Sequence, residues 1–318
     1  MTINVSTYSL DLTTLFPQLA VRGYEIICAD AMSALRRIPN DSIHCVITSP
    51  PYFDLRSYLS EDSSAKDLEV GYGQTPDEYT KSLVEIFSEV ARALRPDGTI
   101  WLNLGDSYAR KRTGKLKRKD LIGIPWKVAA ALRDECGLYL RAEIIWAKPN
   151  PMPESVTDRP TRAHEQIFLL TKSEDYYYDA AAIREPNKTK PHSHGASKQA
   201  TQFGKIRSAA ADAAFRQPHR IWGAKGGRNK RSVWTVNVAP YKGAHCATFP
   251  VNLVEDCVLA GCPPEGIVLD PFAGASTTGL AALQYGRRYI GVELNEAFCA
   301  LSDDRLNHFD VQAHPLAA

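Results

Sequence analysis

Two short motifs carry side chains that suit group-transfer chemistry on a nucleoside. The first consists of Ser49, Pro50, Pro51 and Tyr52, directly after the apolar run Ile43–Thr48. The Ser49 hydroxyl and the Pro50 carbonyl are two acceptors for an exocyclic amino group, and the consecutive prolines fix φ so that the carbonyl stays aimed. Tyr52 offers a ring that can stack on a base. The lone pair of such an amino nitrogen is normally delocalised into the base, and two acceptors for its hydrogens would localise it. These residue types therefore predict that the amino nitrogen acts as the nucleophile.

The second motif, Asp270-Pro-Phe-Ala-Gly274, follows the apolar residues 267–269 and is a glycine-containing turn between a strand and a helix. Gly274 allows the backbone to approach a ligand closely. Glu293, about twenty residues further on, can accept both hydrogen bonds from ribose hydroxyls. The glycine spacing is not Gly-x-Gly-x-x-Gly, so a nucleoside without phosphates is the predicted ligand. The candidate ligand-binding residues here are Asp270, Pro271, Phe272, Gly274, Ser276, Thr277, Glu293 and Asn295.

The composition is that of an ordinary globular protein. The chain has 318 residues, of which 44% are hydrophobic, and a formal net charge of +2, which predicts one large or two modest domains with a full core. No segment approaches the roughly 18 apolar residues of a membrane span, and no secretory signal is evident, so a cytoplasmic location is expected. The seven cysteines are scattered, which favours reduced core residues over a metal site.

Short β-rich runs alternate with helical patterns, which is typical of a parallel α/β sheet. In the clearest helix, Thr75 and Glu78 form a capping box around Pro76, and apolar side chains from Tyr79 to Leu94 share one face. The other predicted elements are the helices 277–285 and 296–306 and the strands Tyr24–Cys28, Ile43–Thr48, Thr99–Asn103, Ala142–Trp146, Gln166–Leu170, Ile267–Asp270 and Arg288–Glu293.

Two basic segments interrupt this pattern and indicate a polyanionic partner. Residues 184–231 have no sustained period, and their only acids are Glu185 and Asp212. Aromatic residues lie among the cations, which favours contact with DNA over a merely solvated loop. The second segment, 110–119, follows a polar strand end, where α/β sheets gather their ligands; a surface charge run without a ligand is the alternative. The candidate DNA-binding residues are Arg110, Lys111, Arg112, Lys115, Lys117, Arg118, Lys119, Arg207, Arg216, Arg220, Lys225, Arg228, Lys230 and Arg231.

Both motifs resemble those of a known enzyme family. Ser-Pro-Pro-Tyr after an apolar strand resembles the catalytic motif of N4-cytosine DNA methyltransferases, and Asp-Pro-Phe-x-Gly resembles the S-adenosylmethionine motif of amino-group DNA methyltransferases of the β class. The resemblance implies a Rossmann-like, S-adenosylmethionine-dependent methyltransferase sheet with a circularly permuted motif order. It makes residues 1–183 the catalytic half, 184–235 an inserted basic target-recognition region, and 236–318 the cofactor-binding half.

The same resemblance assigns roles to further residues. An aspartate before the catalytic strand is expected near the cofactor, as is the segment that precedes the cofactor motif. An aspartate after the third strand joins the catalytic group, with a helix cap as its alternative role. The family often has glycine where Ser276 stands, which leaves the geometry of that turn open. S-adenosyl-L-methionine is the implied cofactor, S-adenosyl-L-homocysteine its product, and no metal is expected. The residues so assigned are Asp30, Asp106, Thr248, Phe249 and Pro250.

The predicted target is N4 of a cytosine in double-stranded DNA, flipped out because a base inside a duplex is out of reach. Transfer to N6 of adenine is the alternative. Adenine-specific members more often carry Asp or Asn where Ser49 stands, yet the two amino groups are chemically alike. A non-catalytic DNA-binding protein on this scaffold is the alternative of another class, and RNA as substrate stays open. The resemblance also leaves open a homodimer and a cognate restriction endonuclease for the same site.

Overall fold

The computed structural model describes residues 12–187, 227–238 and 249–309. The chain divides into two compact units, one made of Met1–Asp179 with Ser232–Ala318 and the other of Ala180–Arg231. The sequence predicts an insertion at 184–235. The second unit, Ala180–Arg231, begins four residues before the predicted insertion begins and ends four residues before it ends.

The described part of the first unit is built on one mixed sheet. Its strands are β1 Tyr24–Cys28, β2 Ile43–Thr48, β3 Leu94–Leu104, β4 Tyr139–Ala147, β5 His164–Thr171, β6 Val233–Thr235, β7 Ile267–Asp270 and β8 Arg288–Glu293. The strand order is β1-β8-β7-β2-β3-β5-β4-β6. Strands from both ends of the chain therefore share one sheet, as the sequence predicts.

Helices cover both faces of this sheet. In the described residues they are α1 Leu12–Leu15, α2 Pro17–Val21, α3 Ala31–Arg37, α4 Pro76–Ala93, α5 Ile124–Glu135, α6 Val251–Gly261, α7 Thr277–Gln284 and α8 Glu296–Asn307, with a 3₁₀ helix at Lys66–Leu68. None of the helices in the described ranges is long and apolar enough to cross a membrane.

The neighbouring strands are parallel, as predicted, except at β5, which runs antiparallel to both β3 and β4. Parallel neighbours require a crossover, usually a helix, and residues 148–163 between β4 and β5 contain none. β3 also begins at Leu94 rather than Thr99, and a register shift between β2 and β3 accommodates residues 95–98. β6, which the sequence places inside the insertion, pairs with β4.

Alternate residues of β3 face the two layers of helices. Ile100 and Leu102 join the core cluster that includes side chains from α1 to α5. Trp101 faces the other layer, where a Cβ at Gly261 in α6 would lie 2.2 Å from Trp101 Nε1. The glycine therefore lets α6 pack directly on the strand, and β3 is buried on both faces, as parallel strands of α/β proteins usually are.

Helix α4 begins where its sequence predicts. Thr75 Oγ1 accepts a hydrogen bond from Glu78 N at 3.3 Å, and Glu78 Oε2 accepts one from Thr75 N at 2.7 Å. This confirms the capping box, with Pro76 in the first turn. The predicted apolar face is buried, although Leu94 already belongs to β3.

In the second unit, the described residues include a short pairing between Glu185 and Arg228. The Glu185 carboxylate accepts hydrogen bonds from Arg228 Nε at 3.0 Å and Arg231 Nε at 2.9 Å. Two of the candidate DNA-binding cations are therefore paired with an acid.

Candidate active site

A cavity of about 480 Å³ lies at the carboxyl ends of β1, β2, β3, β7 and β8. These strands are parallel, so their carboxyl ends meet at one edge of the sheet, where ligands of α/β folds bind. The two sequence motifs, far apart in the chain, both face this cavity. The predicted site residues that line it are Asp30, Ser49, Pro50, Pro51, Tyr52, Phe249, Asp270, Pro271, Phe272, Gly274, Thr277, Glu293 and Asn295.

Asp270, at the end of β7, connects the two motifs. Its carboxylate accepts hydrogen bonds from Thr48 Oγ1 at 2.6 Å, from Thr278 Oγ1 at 2.8 Å and from Phe272 N at 3.1 Å. Burial raises the pKa of Asp270 to about 6, although these donors oppose the rise. The carboxylate thereby holds the end of β2, just before Ser49, against the turn that carries Phe272.

Glu293, at the end of β8, forms one side of the cavity with Phe272, Gly274 and Asn295; this side is called the Glu293 wall below. Its two carboxylate oxygens accept hydrogen bonds from Gly274 N at 2.8 Å and Asn295 N at 2.9 Å. Burial raises the pKa of Glu293, and those two N–H groups lower it in part. Each oxygen keeps a further lone pair for a ligand hydroxyl.

The turn after β7 has the shape that glycine favours. Ser276 has a φ of 54° and a ψ of 42°, the left-handed conformation, and occupies the N-cap position of α7 without a side-chain capping hydrogen bond. The serine thus takes the conformation expected of the glycine that often stands there in the family. Its side chain is buried near the Tyr289 hydroxyl rather than in the cavity lining.

Asp30 and Pro250 lie at helix starts. Asp30 caps α3, with Oδ1 accepting from Ser33 N at 2.9 Å. Burial alone would raise the pKa of Asp30, but the hydrogen bonds from Ser33 lower it. Pro250 precedes α6, next to Phe249 in the cavity lining.

Ser49, Tyr52, Asn103 and Glu165 form another side of the cavity, called the Ser49 wall below. Tyr52 O–H donates to Glu165 Oε2. Asn103 Nδ2 lies 2.8 Å from the Tyr52 hydroxyl, 3.0 Å from Glu165 Oε2 and 3.3 Å from Ser49 Oγ. Burial, followed by the adjacent Glu165 carboxylate, raises the pKa of Tyr52 well above its ordinary value.

Glycine and tyrosine neighbours hold the Ser49 wall in place. A Cβ at Gly105 would lie 2.4 Å from Tyr52 Cε2, so only glycine leaves room for the ring. The Tyr79 hydroxyl donates to the Pro51 carbonyl at 2.9 Å, which fixes the turn after the prolines.

The cavity is also lined by Asn103, Trp146, Lys148 and Glu165, which were not among the site residues predicted from the sequence. Lys148 Nζ pairs with Glu165 Oε1 and lies 4.2 Å from the centre of the Trp146 ring. Glu165 stands near the start of β5. In a wholly parallel sheet, that end would lie at the opposite edge, whereas the antiparallel direction of β5 brings it to the cavity. The sequence does show a polar residue, Glu165, at the start of a predicted strand. That position indicates a site residue only if the strand is known to be antiparallel.

Asp106, expected in the catalytic group, does not line the cavity. Its Oδ1 accepts hydrogen bonds from Ser107 N, Gly123 N and Ile124 N, each at 3.0 Å. These backbone donors place Asp106 at the beginning of α5, where a carboxylate satisfies N–H groups that have no partner within the helix. Its position is that of a structural cap.

The basic segment 110–119 is mostly exposed and follows the carboxyl end of β3 in the chain. Its base is closed by backbone hydrogen bonds from Ala109 N to Asp120 O and from Lys119 N to Ala109 O. Lys119 pairs with Asp158 at 2.5 Å. Thr248, Arg207, Arg216, Arg220 and Lys225 lie outside the described residues. Among the residues that are described, no group of three or more His, Cys, Asp or Glu side chains could hold a metal ion.

The fold resembles those of solved DNA methyltransferases. One is the PvuII DNA methyltransferase (cytosine-N4-specific), with a TM-score of 0.63 at 19% identity, covering 91% of this chain and 89% of that one. Another is a putative DNA modification methylase from Thermus thermophilus complexed with S-adenosyl-L-methionine, with a TM-score of 0.55 at 23% identity, covering 89% and 93%. The fold class is therefore the Rossmann-like sheet of S-adenosylmethionine-dependent methyltransferases.

The sequence comparison defines the family. The profile of the DNA methylase family matches residues 43–304, so the chain belongs to that family of N6 and N4 DNA methyltransferases. Type II methyltransferase M.XycI of Xanthomonas campestris pv. cyanopsidis is 41% identical over 311 residues, covering 91% of this chain and 89% of the relative. Type II methyltransferase M.Cfr9I of Citrobacter freundii is 39% identical over 321 residues, covering 94% and 93%.

Proposed function

We propose that this DNA methyltransferase transfers a methyl group from S-adenosyl-L-methionine to N4 of a cytosine flipped out of double-stranded DNA. The observation that carries the proposal is the single cavity that Ser49, Pro50, Phe272 and Glu293 share. One part of that cavity suits a nucleoside methyl donor and another suits a base with an amino group.

The Glu293 wall fits the methyl donor. The Glu293 carboxylate, held by Gly274 N and Asn295 N, has lone pairs for two ribose hydroxyls. The Phe272 ring, only partly buried, offers a face to the adenine base. S-adenosyl-L-methionine, when bound, supplies a methyl group on a positively charged sulfur. The neighbour of known structure that is complexed with this compound supports the same assignment.

The Ser49 wall fits the amino group of the target base. Ser49 Oγ and the Pro50 carbonyl accept its two hydrogens, which draws the nitrogen towards a tetrahedral form with a localised lone pair. The Tyr52 ring stacks on the base face. Much of the acceleration then comes from orientation and electrostatics.

Cytosine is the favoured base because serine precedes the two prolines. The cytosine-N4-specific neighbour has the same fold and supports this choice. Adenine N6 is the competing target, since its amino group offers the same two hydrogens.

Product analysis tests the proposal directly. Purified protein is incubated with isotopically labelled S-adenosyl-L-methionine and mixed-sequence duplex DNA, and the DNA is digested to nucleosides for mass spectrometry. Labelled N4-methylcytosine is expected, whereas labelled N6-methyladenine would overturn the cytosine assignment. No transfer, together with no calorimetric binding of millimolar S-adenosyl-L-methionine, would favour a non-catalytic DNA-binding protein. Duplex RNA serves as the parallel substrate.

DNA binding is assigned to the exposed cations of segment 110–119 and to the insertion. Replacing Lys115 and Lys117 with glutamine should reduce the slope of log affinity against log salt by up to about 0.9 for each phosphate that is no longer neutralised. The matched control replaces Lys81 and Arg133, which are exposed on α4 and α5, and should leave the slope unchanged. An equal slope in both variants would remove segment 110–119 from the interface.

The relatives extend the proposal to the biological setting. Because M.XycI and M.Cfr9I are type II methyltransferases, a restriction endonuclease for the same site is the proposed partner, and the cytoplasm the proposed location. A homodimer stays part of the proposal, tested by the mass in sedimentation equilibrium.

A further inference from the structure

The Ser49 wall contains a chain of hydrogen bonds whose direction is fixed at one end. Glu165 Oε1 faces Lys148 Nζ, and Glu165 Oε2 faces the Tyr52 hydroxyl and Asn103 Nδ2. The Glu165 side chain is 14% exposed. A lysine ammonium has only donors, and the Asn103 amide places its NH₂ group against the carboxylate because its oxygen would be repelled. Glu165 is therefore an acceptor at both oxygens.

This end fixes the role of Tyr52. A phenol has one proton, and here that proton goes to Glu165 Oε2. The Tyr52 oxygen is left with lone pairs only, and it accepts Asn103 Nδ2–H at 2.8 Å. Any other neighbour of this oxygen must likewise donate to it.

Ser49 is that neighbour. Its hydroxyl donates to the Tyr52 oxygen across 3.5 Å, a long contact of the kind that tightens when a substrate fills a catalytic site. A serine hydroxyl by itself can donate or accept with equal ease. With its proton committed to Tyr52, the Ser49 oxygen has one lone pair facing Asn103 Nδ2 at 3.3 Å, and the other remains for a donor in the cavity.

We propose that Glu165 is a positioning residue, which acts through Tyr52 to fix the Ser49 hydroxyl as an acceptor for the amino group of the target base. The inference rests on the proposed function and deepens it. This role explains why the Ser49 wall includes a carboxylate whose two oxygens both accept hydrogen bonds from protein groups. Glu165 contacts no substrate, but it sets the direction of the hydrogen bonds that run through Tyr52 to Ser49. A base that offers only an acceptor at this position is thereby rejected.

Glutamine at position 165 separates this role from the packing of the side chain. The shape is kept, but the amide NH₂ can donate to Tyr52, so that the phenol can turn its proton towards Ser49 and Ser49 can donate into the cavity. Tyr52→Phe keeps the ring but removes the hydroxyl, and so breaks the same series of hydrogen bonds between Glu165 and Ser49. The matched control is Glu89→Gln, because Glu89 is a partly buried glutamate paired with Arg92 at 2.8 Å on α4, outside the cavity.

The kinetic test measures single-turnover methyl transfer at saturating DNA and S-adenosyl-L-methionine, with calorimetric binding of S-adenosyl-L-methionine beside it. Glu165→Gln should lower the rate roughly a hundredfold, as small misplacements of catalytic groups do. The dissociation constant of S-adenosyl-L-methionine should change less than twofold, and Glu89→Gln should change neither quantity. In a Tyr52→Phe background, adding Glu165→Gln should cost less than threefold, since residues acting in one chain are not additive. Losses that multiply, or a Glu165→Gln rate within threefold of wild type, would overturn the proposal.

A second readout does not depend on methyl transfer. With ¹³C-labelled tyrosine, NMR should show, among the slowly exchanging hydroxyl protons of buried tyrosines, a downfield signal that is lost in Tyr52→Phe and shifted in Glu165→Gln. If the wild type methylates no nucleic acid, the proposed function fails while this signal still decides the order of donors. Absence of the signal from the wild type contradicts the inference.

Discussion

The two walls of the cavity hold their functional groups by different kinds of hydrogen bond. On the Glu293 wall, a carboxylate accepts from backbone N–H groups of the turn after β7 and of the segment after β8. On the Ser49 wall, side chains of Tyr52, Asn103, Lys148 and Glu165 bond to one another across the ends of four strands, β2 to β5. Backbone donors cannot be substituted away, whereas each member of the side-chain network can. Mutations should therefore act sharply on the Ser49 wall and gradually on the Glu293 wall.

The largest expected effect is that of Ser49→Ala. Loss of one acceptor for the amino group should lower the methyl-transfer rate roughly a hundredfold to a thousandfold, by analogy with removal of one oxyanion-hole donor. Binding of S-adenosyl-L-methionine, measured by calorimetry, should stay within twofold. A parallel fall in both quantities would show that the two walls do not act separately.

Asp270, which connects the two motifs, should make the stability of the fold depend on pH. Because the pKa of Asp270 is about 6 in the folded protein against 3.8 ordinarily, the folded state binds a proton there that the unfolded chain lacks between these values. The contribution of Asp270 to the free energy of unfolding therefore falls as pH rises from about 3.8 to 6, by about 3 kcal/mol at most. Above pH 6 this contribution no longer changes with pH. Asp270→Asn should remove this contribution in urea titrations at pH 4.5 and pH 7. Asp62→Asn, at an exposed site, is the control; equal pH dependence in both variants would exclude the buried carboxyl as the source.

Gly105→Ala tests the packing of the Ser49 wall without touching a polar group. A Cβ 2.4 Å from Tyr52 Cε2 must displace the ring, which should lower the turnover number about a hundredfold. Gly137→Ala is a control glycine at positive φ with open space around it, between α5 and β4 and outside both the cavity lining and segment 110–119. Stopped-flow turnover with thermal melting of both variants separates loss of position from loss of fold. Wild-type turnover in Gly105→Ala would show that the ring position is unimportant.

Phe272→Ala should have the smallest effect of the four. The dissociation constant of S-adenosyl-L-methionine should rise about tenfold, as expected for loss of an aromatic contact. The rate at saturating S-adenosyl-L-methionine should stay within twofold, because the backbone donors to Glu293 remain. Calorimetry and saturation kinetics check this, and a large drop in the saturated rate would contradict the contrast between the walls.

The sequence predicts the features that depend on neighbours in the chain. The capping box at Thr75 and Glu78, and the glycine-containing turn after Asp270, are local, and both occur where expected. The conformation of Ser276 follows from the same turn, although its side chain alone does not reveal it.

The sequence does not predict what depends on strand direction and on distant partners. Glu165 reaches the cavity only because β5 is antiparallel. Lys148, directly after β4, then pairs with Glu165. Asp106 shows the reverse case: it follows a strand end and was assigned to the catalytic group, but its carboxylate accepts hydrogen bonds from Gly123 N and Ile124 N at the start of α5. A polar residue at a strand end predicts a site only when its nearest partners are known.

The order of the strands has a consequence for synthesis of the chain. β1 and β2 leave the ribosome early, but in the sheet they are separated by β7 and β8, which are made last. The nascent chain therefore carries an unpaired edge on β2 until Asp270 arrives to accept the hydrogen bond from Thr48. Closing so long a loop is slow relative to local folding. Nascent chains released before β7 should retain that open edge and be prone to aggregation.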